Sequence, residues 1–233
     1  MYHFSIALDE KNSETYGITN WEVQDGYFGL PLSEMNGDQV EDVRDMLIRK
    51  LSRIVLYTVG MPVADFDSYV RFFRNAHLIG VENIKLAYAA IENAAEEEIR
   101  RVLAIAESFS IKVLFELEAA SIESFDLERY AKLRSENTGL ILNPIEYAKR
   151  RLATYSQIYK MKLKDDIAIL RVCDMVFDSL EPVLPGKGNG EIKECASNLL
   201  VRSFGGYFSF GAYGDGVAIR DVIGIFTEML CEM

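Results

Sequence analysis

The chain reads as an α/β protein, a single-domain (β/α)8 barrel whose first crossover helix is short or missing, and three observations predict it. Short apolar runs rich in Val, Ile, Leu and Phe recur between longer stretches of helical period, the alternation that marks βα units on a parallel sheet. Eight such runs are separated by only seven convincing helical stretches. The length of 233 residues is enough for one large barrel domain spanning 1–233.

The strand candidates lie near 3–8, 20–24, 53–58, 83–87, 111–116, 138–143, 166–172 and 207–212. The helical candidates between and after them are 38–51, 66–78, 94–108, 127–136, 148–160, 192–204 and 218–231. Only Glu10 to Gly17 separates the first two strands, too little for a full crossover helix. An open doubly wound sheet would place a glycine-rich turn after its first strand, and FSIALDEKN has no glycine. The glycines that do cluster, Gly186, Gly188 and Gly190, depart from GxGxxG and follow Pro185. They read first as a flexible loop before a helix and second as a phosphate site.

A net charge of −11 with no basic stripe interleaved with aromatics opposes binding to a phosphate backbone, so no nucleic-acid partner is expected. Cys173, Cys195 and Cys231 form neither a CxxC pair nor an even set, which argues against a disulfide framework or a zinc knuckle and for a reducing, cytoplasmic setting. MYHFSIALDEKN lacks a basic region followed by an apolar run, and no window reaches the ~18 consecutive apolar residues of a membrane span. The run AAEEEIRR reads as a solvated helix start, with Glu96 to Glu98 favoured near the N-terminal dipole.

Side chains alternate across a strand, so outward and inward sets can be separated by parity. Phe4, Ile6 and Leu8 face outward, leaving Ser5, Ala7 and Asp9 inside; Trp21 and Val23 face outward, leaving Glu22 and Gln24 inside. Val113 and Phe115 pack on helices while Leu114 and Glu116 point inward, as do Ile141 and Asn143, and Ile169, Arg171 and Cys173. Lys85 joins the interior from the fourth strand. The carboxyl ends of barrel strands form the catalytic face, which singles out Glu22, Glu116, Asn143 and Arg171. A plain alternative is that Glu116 or Glu22 pairs with Arg171 or Lys85 to fill the lumen, because an interior charge is costly unless paired. Cys173, with no histidine nearby in sequence, reads as a small apolar filler. The basic group Lys149, Arg150 and Arg151 is a solvated helix start or a lure for an anionic substrate.

The segment from Asp166 to Tyr213, with YGITNWEV, SIKVLFEL and GLILNPIEY upstream, resembles the xylose isomerase-like TIM barrels, the sugar and sugar-phosphate isomerase and epimerase superfamily. The matching patterns are v-H-l-k-D, p-l-G-x-G and G-x-l-x-l-E near the C-terminus, with G-x-x-x-v-E-l, g-v-x-l-x-l-E-n and g-l-x-l-D-x-x-H before them. The resemblance implies a divalent metal held by Glu, Asp, His and Glu from the last four strands, with two carboxylates moving a proton at one carbon. Those four positions here are Glu116, Asn143, Arg171 and Gly211, with Glu118 as the other candidate for the first, and the accessory His is Glu146. Asn offers only a neutral carbonyl, Arg repels a cation and Gly has no side chain, so no metal or other cofactor is expected. The branch of DNA-repair endonucleases with many histidine ligands is set aside, because the chain has only His3 and His77.

The resulting expectation is an isomerase or epimerase acting on a small sugar, sugar phosphate or hydroxy-carbonyl compound, with Glu116, Arg171, Glu22 and Glu146 as catalytic candidates. Asn143, Lys85, Arg171 and Lys187 are the substrate-binding candidates. A non-catalytic descendant that binds a sugar-like ligand or a protein partner stands beside it, and a Schiff base on Lys85 is a third possibility. Partners are expected to be a carbohydrate-like small molecule and, through the outer helices, a second copy of the chain.

Overall fold

The computed structural model describes residues 2–9, 13–91, 93–116, 127–161, 163–212 and 216–233. The first part of the chain gives β1 (His3–Ala7), β2 (Asn20–Gln24), α1 (Gly37–Arg49), β3 (Arg53–Val59) and α2 (Phe66–Ile79). There follow β4 (Asn83–Leu86), α3 (Tyr88–Ile91), α4 (Glu96–Ser108), β5 (Lys112–Glu116), α5 (Leu127–Leu133) and β6 (Thr138–Leu142). Next come α6 (Pro144–Ala148), α7 (Thr154–Met161), a 3-10 turn (Lys164–Asp166), β7 (Ile167–Arg171), β8 (Asp174–Met175) and β9 (Pro182–Val183). The chain ends with α8 (Ile192–Leu200), β10 (Tyr207–Phe210) and α9 (Ile219–Cys231).

Eight strands close into a barrel in the order β1, β10, β7, β6, β5, β4, β3, β2, and β8 and β9 form a separate antiparallel ribbon. Each of the eight strand candidates is a barrel strand, and no helix lies between β1 and β2 among the described residues. The architecture is therefore the (β/α)8 barrel with an eroded first crossover. The chain packs as two compact units, one of Ser5–Phe115 with Glu128–Gly139 and one of Met1–Phe4, Glu116–Leu127 and Leu140–Met233.

In the first unit, α1 starts where Asn36 and Gln39 exchange side-chain and backbone hydrogen bonds of 3.0 and 2.9 Å, a reciprocal cap that satisfies two otherwise open donors. The α2 helix is capped by Asp65 and stops at Gly80, whose φ of 87° is a left-handed geometry that a Cβ disfavours. Outward parity holds here: the Lys50 ammonium lies 5.5 Å from the centre of the Trp21 ring, and Phe115 packs edge-on against Tyr130 of α5. The run AAEEEIRR starts α4 as expected, with the Glu98 carboxylate accepting from the Ala95 amide at 2.9 Å.

In the second unit the outer face of β10 is aromatic. Phe208 meets Phe226 of α9 with ring centres 5.1 Å apart, and Phe4 meets Phe210 at 5.4 Å. Such contacts stabilise by about 0.5–1.5 kcal/mol each beyond the area they bury. Two expectations are corrected. The helix expected over 148–160 begins only at Thr154, as α7, because Pro144 starts a separate short helix, α6, that ends at Ala148, and Arg151, at φ 55°, turns the chain between the two. The cluster of Gly186, Gly188 and Gly190, read first as a flexible loop, is instead tied to the strand end by hydrogen bonds to Asp174. No helix among the described residues is long and apolar enough to cross a membrane.

Candidate active site

Inward parity places four polar side chains at or beyond the carboxyl ends of β5, β6, β7 and β10 within the second unit. Arg171 and Ser209 are register partners on adjacent parallel strands, so their side chains leave the same face at the same height. Arg171 Nη1 donates to Ser209 Oγ at 2.7 Å, and Arg171 Nε lies 3.4 Å from Glu116 Oε1. Asn143 Nδ2 donates to that same Glu116 oxygen at 2.9 Å, and the Cys173 thiol donates to Asn143 Oδ1 at 3.3 Å. The chain of bonds from Cys173 to Ser209 fixes the Asn143 amide, whose NH2 must face the carboxylate and whose oxygen must face the thiol.

The ion pair is deeply placed, with side-chain exposures of 9% for Arg171 and 6% for Glu116. Coulomb attraction is strong at low dielectric and so is the penalty for desolvation, so the pair fixes geometry more surely than it adds stability. The lumen pairing that parity allowed between Glu116 and Arg171 is present. Ser209, which strand-end parity does not single out, completes it; the available signal is its position two residues before Gly211, on the same face of the strand.

Of the other candidates, Glu146 and Lys187 belong to the second unit and Glu22 and Lys85 to the first. Glu146, on α6, has a side chain only 14% exposed and is engaged by Lys149 at 2.6 Å, while Arg151 lies 3.6 Å from the exposed Asp178. Lys187 is exposed in the glycine loop, where its amide bonds the Leu184 carbonyl at 3.0 Å. In the first unit, Glu22 is buried and accepts from Ser5 Oγ at 2.6 Å. Lys85 is half-buried on β4, in register with Thr58 and Leu114. Glu118 lies outside the described residues.

The donor set does not fit a divalent metal. Of the four positions that hold metal in the family this chain resembles, Glu116 alone is anionic, and the Arg171 guanidinium is seated against it. Gly211 has no side chain, and among the described residues no three His, Cys, Asp or Glu side chains come together as a metal site.

Burial pushes the thiols of Cys173 and Cys195 well above the ordinary range; for Cys173 the nearby Arg171 charge only partly opposes this. Cys231 is exposed. Treatment of the native protein with iodoacetamide at pH 8 is therefore expected to label Cys231 alone, with Cys173 and Cys195 modified only after denaturation, as read by peptide mass spectrometry.

No family model matches the chain, and no curated protein matches it. Its fold is that of the xylose isomerase-like TIM barrels. The xylose isomerase domain protein of Planctomyces limnophilus superposes with a TM-score of 0.71 at 10% identity, covering 99% of this chain and 94% of that one. A D-tagatose 3-epimerase-like protein superposes at 0.70 and 15% identity over 99% and 97% of the two chains. A D-psicose 3-epimerase crystallised in the presence of D-fructose gives 0.67 at 12% identity over 99% and 97%.

Proposed function

We propose that the chain is an isomerase or epimerase of a small polyhydroxy carbonyl compound, a sugar, a sugar phosphate or a related hydroxy-carbonyl, that works without the divalent metal. The arrangement of Glu116, Asn143, Arg171 and Ser209 at the strand ends carries this reading. The structural likeness to sugar epimerases supports it at the level of fold.

Glu116 is the base in this scheme. It removes the proton from the carbon next to the carbonyl, leaving an enediolate whose negative charge grows on oxygen. The Arg171 guanidinium, steadied by Ser209, meets that oxygen as its contact with Glu116 loosens on protonation of the carboxylate. Return of the proton to the opposite face of the same carbon gives epimerisation, and return to the neighbouring carbon gives isomerisation. Glu146, which belongs to the same unit as Glu116, is the candidate for the second proton-transfer group.

The test is proton exchange in D2O with chelator present, using a panel of free ketoses and aldoses and their phosphates, with D-fructose first, followed by NMR at the carbon next to the carbonyl. Deuterium incorporation that resists chelation and falls about 10²–10⁴-fold in Glu116→Gln is expected. A second reading is favoured by the closure of Glu116 and Arg171 on each other: a sugar-binding protein without turnover. Saturable binding of a panel member by calorimetry, with no exchange in any of them, would replace the first reading by the second.

A further inference from the structure

The glycine-rich loop after β7 has the composition of a phosphate cradle, yet its amides already hold an anion that belongs to the protein. Asp174 Oδ2 accepts from the amides of Gly186 at 2.9 Å and Gly188 at 3.0 Å. Asp174 Oδ1 accepts from the amides of Gly190 at 2.7 Å and Met175 at 2.9 Å. Four backbone N–H groups converge on one carboxylate that is 1% exposed. The fit depends on missing side chains: a Cβ on Gly188 would lie 2.4 Å from Asp174 Oδ1, and one on Gly190 would lie 2.9 Å from it.

We infer that Asp174 is a positioning residue that acts as a built-in anion, holding the 182–190 loop formed without ligand and barring a phosphate group from the loop's amides. Convergent backbone amides make a concave positive site that takes phosphate or carboxylate alike, and here the carboxylate is covalently supplied. The lock extends past the cradle. Asn189 donates its amide to the Met175 carbonyl at 2.8 Å and accepts from the Phe177 amide through its side chain at 2.9 Å. Glu191, at the start of α8, accepts from the Tyr155 amide at 2.8 Å and so joins the loop to α7. The loop also borders a groove of about 370 Å³ lined by Asp174, Gly186, Gly188, Asn189 and Lys193, through which a small anion reaches the cradle once the carboxylate is removed. A phosphorylated substrate would then need its phosphate held elsewhere than by these amides.

The experiment compares melting temperatures of the wild type and Asp174→Ala in sodium formate and sodium chloride at equal ionic strength. Formate is expected to raise the melting temperature of the variant saturably and to leave the wild type unmoved. Equal responses of the two proteins, or none in the variant, would overturn the inference, since lost packing alone gives no anion-specific rescue. Should Asp174→Ala fail to fold, Asp174→Asn keeps the shape but turns an NH2 toward amide donors. Amide exchange at Gly186, Gly188 and Gly190 should then rise at least about tenfold against α8, and unchanged exchange would overturn the inference. In the wild type, inorganic phosphate should leave these three amide resonances in place, and saturable shifts would refute the exclusion of phosphate.

Discussion

Arg171→Met is expected to destabilise the chain by about 3–5 kcal/mol, because it takes the guanidinium away from a carboxylate that stays buried. A typical domain has only about 5–15 kcal/mol of stability, so such a loss brings the urea midpoint down sharply with the slope unchanged. Glu116→Gln leaves the opposite charge facing a neutral amide and should be costly as well. The double variant removes both charges and should lose less than the sum of the singles, giving a coupling of about 1–3 kcal/mol. Arg171→Lys should not restore the wild type. The arginine reaches Glu116 with Nε and Ser209 with Nη1, and one ammonium on a flexible stem lacks that fixed fork. Additive singles would mean that the 3.4 Å approach couples nothing, and Arg171 would lose its place as the group that meets substrate oxygen.

The reach of sequence reasoning is clearest in the strands. A period of two is local and exact enough that Phe115, Ser5, Glu116 and Arg171 each fall on the correct side from their neighbours alone. Helix ends are harder, since Ala148 through Lys160 contains no glycine or proline to mark a break. The break at Arg151 comes from a left-handed backbone geometry that nothing in its residue type favours. The two-residue strands β8 and β9 are too short to carry any periodicity.

At the site, the residues that come from strand ends are legible and the contacts between distant loops are not. Glu116, Asn143 and Arg171 are each a polar residue at the end of an apolar run, and parity plus topology brings them together. Ser209 is small and uncharged, so the strand-end rule passes over it. Asp174 reads in sequence only as the last residue of a motif. Its partners lie 12 to 16 residues ahead and contribute backbone amides, which leave no trace in side-chain chemistry except three alternating glycines. Those glycines suggest either a flexible segment or an external phosphate. The third possibility, an internal carboxylate at the strand end, follows only when an acid shortly before such a run is weighed as its ligand.

The glycine spacing makes a sharp prediction of its own. Gly188→Ala places a methyl group 2.4 Å from Asp174 Oδ1 and 2.6 Å from the Met175 carbonyl oxygen, and neither atom is free to withdraw. The carboxylate is held by four amides, and the carbonyl accepts from Asn189. Relief therefore requires the loop to move, which breaks hydrogen bonds to a buried charge that contribute about 1.5–3 kcal/mol each. A loss of about 3 kcal/mol or more in urea denaturation is expected, with faster amide exchange at Gly186 and Gly190. Gly205→Ala is the matched control: a Cβ there meets nothing within 4 Å and its φ is not left-handed, so the change should be neutral or stabilising by up to about 1 kcal/mol. If Gly188→Ala proved as stable as Gly205→Ala, the loop would have another way to satisfy Asp174, and the close seating of carboxylate and amides would not be what holds it.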